Sequence, residues 1–192
     1  MPEFRTHSPD NPDFARVLDV ARLRGVEGFD FDLAPDAAEA AALARLMGAQ
    51  AVRKLRFRGR MSAAGDGAWR LVASLGATVT QTCVVSLEPV ATRIDTPVLR
   101  LFVPGAAPDG PEVVVGEDDD EEEEIEPLGA AIDLGLVATE ALALALPAYP
   151  RRADARLEVA ASASPEAAPL PEVEVKPFAG LAALRARMGG DE

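Results

Sequence analysis

Ala51-Val52-Arg53-Lys54-Leu55-Arg56-Phe57-Arg58-Gly59-Arg60 is the stretch on which the fold turns. Leu55 and Phe57 fall on one side of a period-two pattern, and Lys54, Arg56, Arg58 and Arg60 on the other. Side chains two apart share a face of a β-strand, so this is a strand with one apolar and one basic face. After a turn at 63–67, Trp69, Leu71, Ala73 and Leu75 repeat the alternation, and Ala77, Val79, Gln81 and Cys83 carry it past Gly76. A third strand region spans 93–103, with Pro97 at an edge or bulge. Consecutive strands joined by short turns predict an antiparallel sheet at 51–103, which could curl toward a barrel.

Helices flank this sheet. Asp36 followed by Glu39 is a capping-box pattern opening an Ala/Leu-rich helix over 36–47, which Gly48 stops. Before it, Phe29 and Phe31 alternate with Asp30 and Asp32 as a short strand, and 13–20 forms a short strand or helical turn. Asp133 caps a second helix over 134–146, ended by Pro147. The fold class is α+β: a central antiparallel sheet, two or three helices, and an acidic loop. The organisation expected is one domain over 1–152 with a disordered insertion at 104–127, an Ala/Ser/Pro-rich linker at 153–176, and a short helix over 177–188.

Charge is unevenly spread. The chain has 192 residues and a net charge of −13, yet residues 1–101 carry 13 basic and 12 acidic side chains and residues 102–192 carry 6 and 20. Much of the excess is one block, Glu117, Asp118, Asp119, Asp120, Glu121, Glu122, Glu123 and Glu124, whose mutual repulsion favours a solvated loop. With 48% hydrophobic residues the rest can build a core. One Cys and one His leave too few ligands for a structural zinc and no partner set for a His-dependent catalytic triad. No phosphate-binding glycine loop and no well-placed acid pair appear, so no catalytic residues, metal or cofactor are expected. There is no apolar run long enough to span a membrane and no apolar leader, which makes a cytoplasmic location the expectation. Composition favours a binding or assembly role over enzymatic activity.

Three features could bind a partner. The cations Lys54, Arg56, Arg58 and Arg60 would recur every ~6.6–6.8 Å along a strand, close to the phosphate spacing of a nucleic-acid strand; the plain alternative is a face kept soluble by its charge. Tyr149, Arg151 and Arg152 offer an aromatic ring and two guanidiniums for base stacking and phosphate pairing, unless Tyr149 simply packs over the core. Residues 117–124 could hold a basic protein or serve as a spacer. Cys83 reads as a small buried hydrophobe.

Two motifs, QTCVVSLEPV at 81–90 and IEPLGAAIDLGLVATEALALALPAYPRR at 125–152, with acids before the second and KPFAGLAALRARM at 176–188, together resemble the YceD-like family in its alphaproteobacterial form. The resemblance extends over about residues 3–188 and implies a role in accumulation of the large-subunit (23S) ribosomal RNA. It makes ribosomal RNA or a pre-50S particle the expected partner, with a basic ribosomal protein as the alternative. Some relatives carry C-x-x-C in the first motif; here Ser86 stands three positions after Cys83 and there is no other Cys, so a thiolate metal site is not expected. Nothing in these residues fixes an oligomeric state.

Overall fold

The computed structural model describes residues 3–9, 11–105 and 123–156. In chain order they form β1 (Val17–Asp19), a 3-10 turn (Val20–Leu23), β2 (Gly28–Leu33), α1 (Ala37–Leu46), β3 (Ala51–Ala63), β4 (Trp69–Thr82), β5 (Pro89–Val103), β6 (Glu124–Pro127), β7 (Ala131–Asp133) and α2 (Leu134–Ala145). The main sheet runs β2-β3-β4-β5-β6, antiparallel except for the parallel β5–β6 pair, and β1 and β7 form a separate two-stranded ribbon. The sheet is open, with β2 and β6 at its edges, so the curl toward a barrel does not close. Its apolar face is covered instead by α1, α2 and the ribbon, whose buried side chains join one core with Phe57, Met61, Leu71, Leu75 and Val79.

The alternation read from the sequence is the reason for this burial. Along β4, Leu71, Ala73, Leu75, Ala77 and Val79 point inward and are buried, while Arg70, Val72 and Ser74 point out. β5 follows β4 without a break in register from Trp69↔Phe102 to Thr82↔Pro89. β3 departs from the alternation at one place. Val52 and Leu55 are both buried with Arg53 and Lys54 exposed between them, the register shifts between Arg53 and Arg56, and Lys54 adopts a positive φ of 52°. This is a β-bulge, which lets two cations face outward where strict alternation would turn Arg53 into the core.

Both helix caps form as expected. Asp36 accepts from the Glu39 N–H at 2.8 Å, and the Glu39 carboxylate accepts from the Asp36 N–H at 2.8 Å. Asp133 accepts from the Gly135 and Leu136 N–H groups, and also from the Arg16 N–H at 2.8 Å, which ties the N-terminal segment to α2. The same Glu39 carboxylate takes a two-pronged contact from Arg16, and these bonds hold its pKa below the ordinary glutamate range.

The insertion expected at 104–127 needs correction at its end. Glu124–Pro127 is strand, because Arg100 at the end of β5 draws the returning chain onto the sheet through Glu124 (3.0 Å) and Glu126. Residues 106–122 and the expected C-terminal helix at 177–188 lie outside the described residues, as does most of the expected linker.

Gly59 sets a tight constraint at the centre of β3. A Cβ there would lie 2.3 Å from the Val72 carbonyl oxygen and 2.5 Å from the Ala73 Cα, both backbone atoms that cannot give way cheaply. Gly59→Ala should therefore lower folding stability by about 2 kcal/mol or more, in the range of core overpacking. Denaturant unfolding of the variant against the parent chain measures this; an unchanged midpoint would show that the two strands can separate at this point.

Candidate nucleic-acid interface

The outward face of the sheet is assembled row by row from the strand registers. Asp32 pairs with Arg58, which faces Ser74 and then Pro97; Arg56 faces Gly76 and then Asp95; Arg53 faces Thr78 and then Arg93. Because neighbouring strands lie only ~4.8 Å apart, cations from β3 and β5 approach one another across the small side chains of β4. Lys54, Arg56, Arg58 and Arg93, with Ser74, Gly76, Asp95 and Pro97, line a shallow depression of about 420 Å³. Gly76 makes that depression possible. A Cβ on it would meet Arg93 Nη2 at 2.5 Å and Asp95 Oδ1 at 3.0 Å, so only the bare backbone lets the Arg93 guanidinium lie across β4.

The expected basic residues divide into two kinds. Arg56 is bonded to Asp32, and Arg60 to Asp30 at 3.1 Å. Chiefly through the Arg56 hydrogen bond, the Asp32 pKa is lowered, so it stays ionised and offsets part of the positive charge. Arg93 and Asp95 form a third such pair, and the Asp95 pKa is lowered mainly by its Arg93 bond. Lys54 and Arg58 have no ion-pair partner among the described residues, and neither does Arg53. Sequence reading missed Arg53, which the bulge turns outward, and Arg93, which reaches the site across β4. The signal for Arg93 was the pair of small residues at outward positions of the strand between, Ser74 and Gly76.

Tyr149, Arg151 and Arg152 lie elsewhere, beside the β4–β5 loop. Val84 donates its N–H to the Pro150 carbonyl at 2.9 Å, Gln81 donates to the Pro147 carbonyl at 3.3 Å, and Arg152 pairs with Glu88. The two motifs at 81–90 and 125–152 are therefore in contact. Tyr149 does not pack over the core: it is 82% exposed, with Val84 and Leu87 also exposed. Arg152 is committed to Glu88 and Asp154, and Arg151 donates to the Ala155 carbonyl at 3.0 Å. Of the acid block, Glu123 pairs with Arg70 at 2.9 Å and Glu124 with Arg100; residues 117–122 lie outside the described residues. Among the described residues no cluster of three or more His, Cys, Asp or Glu could hold a metal ion, and no helix among them is long and apolar enough to cross a membrane.

Cys83 starts the β4–β5 loop and is fully buried, as its strand context suggested. Its sulfur accepts the Val85 and Ser86 N–H groups, both at 3.4 Å. The Ser86 side chain and the Ser86, Arg152 and Val85 backbone together lower its pKa to about 6, against a weaker opposing effect of burial.

A family model described as "Large ribosomal RNA subunit accumulation protein YceD" matches residues 71–185. Neither the curated proteins nor the solved structures contain a match.

The depressed thiol predicts a pH signature. The stability that Cys83 adds is full above its ordinary value of 9.0 and is lost as pH falls through about 6. Ultraviolet titration of thiolate absorbance in the folded chain should show a midpoint near 6, and Ser86→Ala should move it upward. A midpoint at the ordinary cysteine value in the parent chain would refute the hydrogen-bonding account.

Proposed function

Because the chain belongs to the YceD family of large ribosomal RNA subunit accumulation proteins, we propose that it supports that accumulation by binding ribosomal RNA, free or in a pre-ribosomal particle. The reading is of a non-enzymatic cytoplasmic factor. The observation that carries it is the outward face of β3, where Arg53, Lys54 and Arg58 stand without carboxylate partners among the described residues and where Lys54 and Arg58 line the depression shared with Arg93. Guanidiniums on a rigid sheet can pair with phosphate oxygens at little cost in side-chain ordering, and such contacts position a protein without reading sequence. Tyr149 and Arg151 form a secondary contact at the end of the sheet.

The rival reading, an adaptor holding a basic ribosomal protein on the acid block, is less well supported. Glu123 and Glu124 are already taken by this chain's own Arg70 and Arg100.

Each phosphate neutralised on single-stranded RNA contributes about −0.7 to the log–log salt slope. Replacing Arg53, Lys54 and Arg58 by Ala should therefore flatten the slope by about 2 and weaken binding across sequences. Arg56 and Arg60 sit in ion pairs, so replacing them should flatten it less. Binding of the folded variants to large-subunit ribosomal RNA over a salt series decides this. Equal affinity and slope for the triple variant and the parent would leave the face a solubilising surface.

Loss of the protein in its host should lower large-subunit relative to small-subunit ribosomal RNA. Unchanged ribosome profiles in a deletion strain would remove the proposed role.

A further inference from the structure

β5 is paired with β4 along its length, but β6 covers its other side only from Arg100 to Val103. From Pro89 to Leu99 no described residue pairs with this outer edge. The direction of its backbone groups is fixed by two hydrogen bonds. The Val103 carbonyl accepts from Leu128 N–H on the β6 side, and the Glu88 carbonyl accepts from Cys83 N–H on the β4 side. Backbone groups alternate along a strand, and the β4–β5 register is unbroken, so Ala91, Arg93, Asp95 and Leu99 present N–H and C=O outward. Pro89 and Pro97 belong to the same outward set and present only a carbonyl.

We infer that this edge pairs with the same edge of a second copy of the chain, antiparallel, about a two-fold axis through Ile94. Three observations converge on that axis. Ile94 is the midpoint of the uncovered span, so pairing about it uses the whole edge and stops where β6 begins on each copy. It also places Arg93 opposite Asp95 of the second copy, and Asp95 opposite Arg93, on the exposed face. A slip of two residues either way would set Arg93 against Arg93 or Asp95 against Asp95, so charge selects one register. On the other face, Val98 and the exposed Leu144 line a groove of about 300 Å³ between β5 and α2. The same register brings the second copy's Val90 opposite Val98, at the mouth of that groove. Leu144 is 82% exposed in the single chain and would gain an apolar neighbour.

The pairing bears on the basic face, although it does not depend on RNA binding. Arg93, Asp95 and Pro97 are both edge residues and part of the depression's lining. Two copies joined here form one ten-stranded sheet with the two depressions on the same side, adjacent across the axis. An isologous contact of this kind closes on itself and yields a dimer rather than a fibre.

Sedimentation over a concentration series, without RNA, is the first measurement, and a reversible monomer–dimer equilibrium is expected. Asp95→Arg places like charges across the axis and should raise the dimer dissociation constant at least about tenfold. The double change Arg93→Asp with Asp95→Arg restores complementarity and should recover the parent value. Amide exchange supplies the second readout and confirms folding of each variant. The Ala91, Arg93 and Asp95 amides should be protected in the dimer and exchange freely on dilution, while those of Thr92 and Ile94, which face β4, stay protected in both. A monomer at all concentrations overturns the inference, as does a dimer indifferent to the charge reversal. Edge protection that persists in the monomer also overturns it and would place another part of the chain, such as residues 106–122, on this edge. Because none of these readouts involves RNA, their failure is distinct from failure of the RNA-binding proposal.

Discussion

Burial of one face of β4 is the constraint on which the other elements depend. Five inward side chains, Leu71, Ala73, Leu75, Ala77 and Val79, are each at most 8% exposed, and the strand keeps its alternation without a bulge. A slip of one residue would move all of them into water, so the registers of β3 and β5 against β4 are strongly specified. Once that face is fixed inward, the alternate positions must face out, and the cations of β3 and β5 gather on the opposite side. The basic face is thus a by-product of core burial in its placement, and a property of the sequence only in its chemistry.

What could be read in the sequence is what depends on neighbouring positions. The β4 alternation, that of β3 from Lys54 onward, the Asp36–Glu39 capping box and the Asp133 cap are local patterns, and all form as expected. What could not be read depends on distant partners. The bulge at Arg53–Lys54 lets Val52 and Leu55 both reach the core, a demand made by the core and invisible in the strand itself. Asp133 caps α2 predictably, but its bond to the Arg16 N–H joins residues 117 positions apart. Tyr149 was legible as an aromatic beside two arginines; its exposure follows from Pro150, which is buried and anchors Val84 while the ring projects outward.

Arg100 shows how an acid-rich sequence can acquire a fixed place. Its side chain is 7% exposed on the inner side of β5, where an unpaired guanidinium would be costly. Glu124 and Glu126 from β6 and Glu140 from α2, at 3.6 Å, surround it, so one cation gathers three carboxylates from two elements. Glu140 bears the strain of that arrangement: burial raises its pKa, Arg100 opposes the rise, and Glu126 and Glu124 add to it. The end of the acidic block is therefore part of the fold, which a reading of charge density alone assigns wholly to solvent.

The net charge of −13 and a locally basic sheet face are compatible because charge acts locally. At physiological ionic strength exposed charges are screened over about 8 Å. A phosphate resting in the depression between β3 and β5 would respond mainly to Lys54, Arg58 and Arg93, and to the carboxylates bonded beside this face. Asp32 and Asp95 moderate that local charge while orienting Arg56 and Arg93, which favours contact at defined positions over diffuse attraction. Acids farther away than about 8 Å are largely screened and change the potential at the depression little. On the proposed RNA-binding reading, association would therefore depend on how many phosphates meet the ordered cations at once.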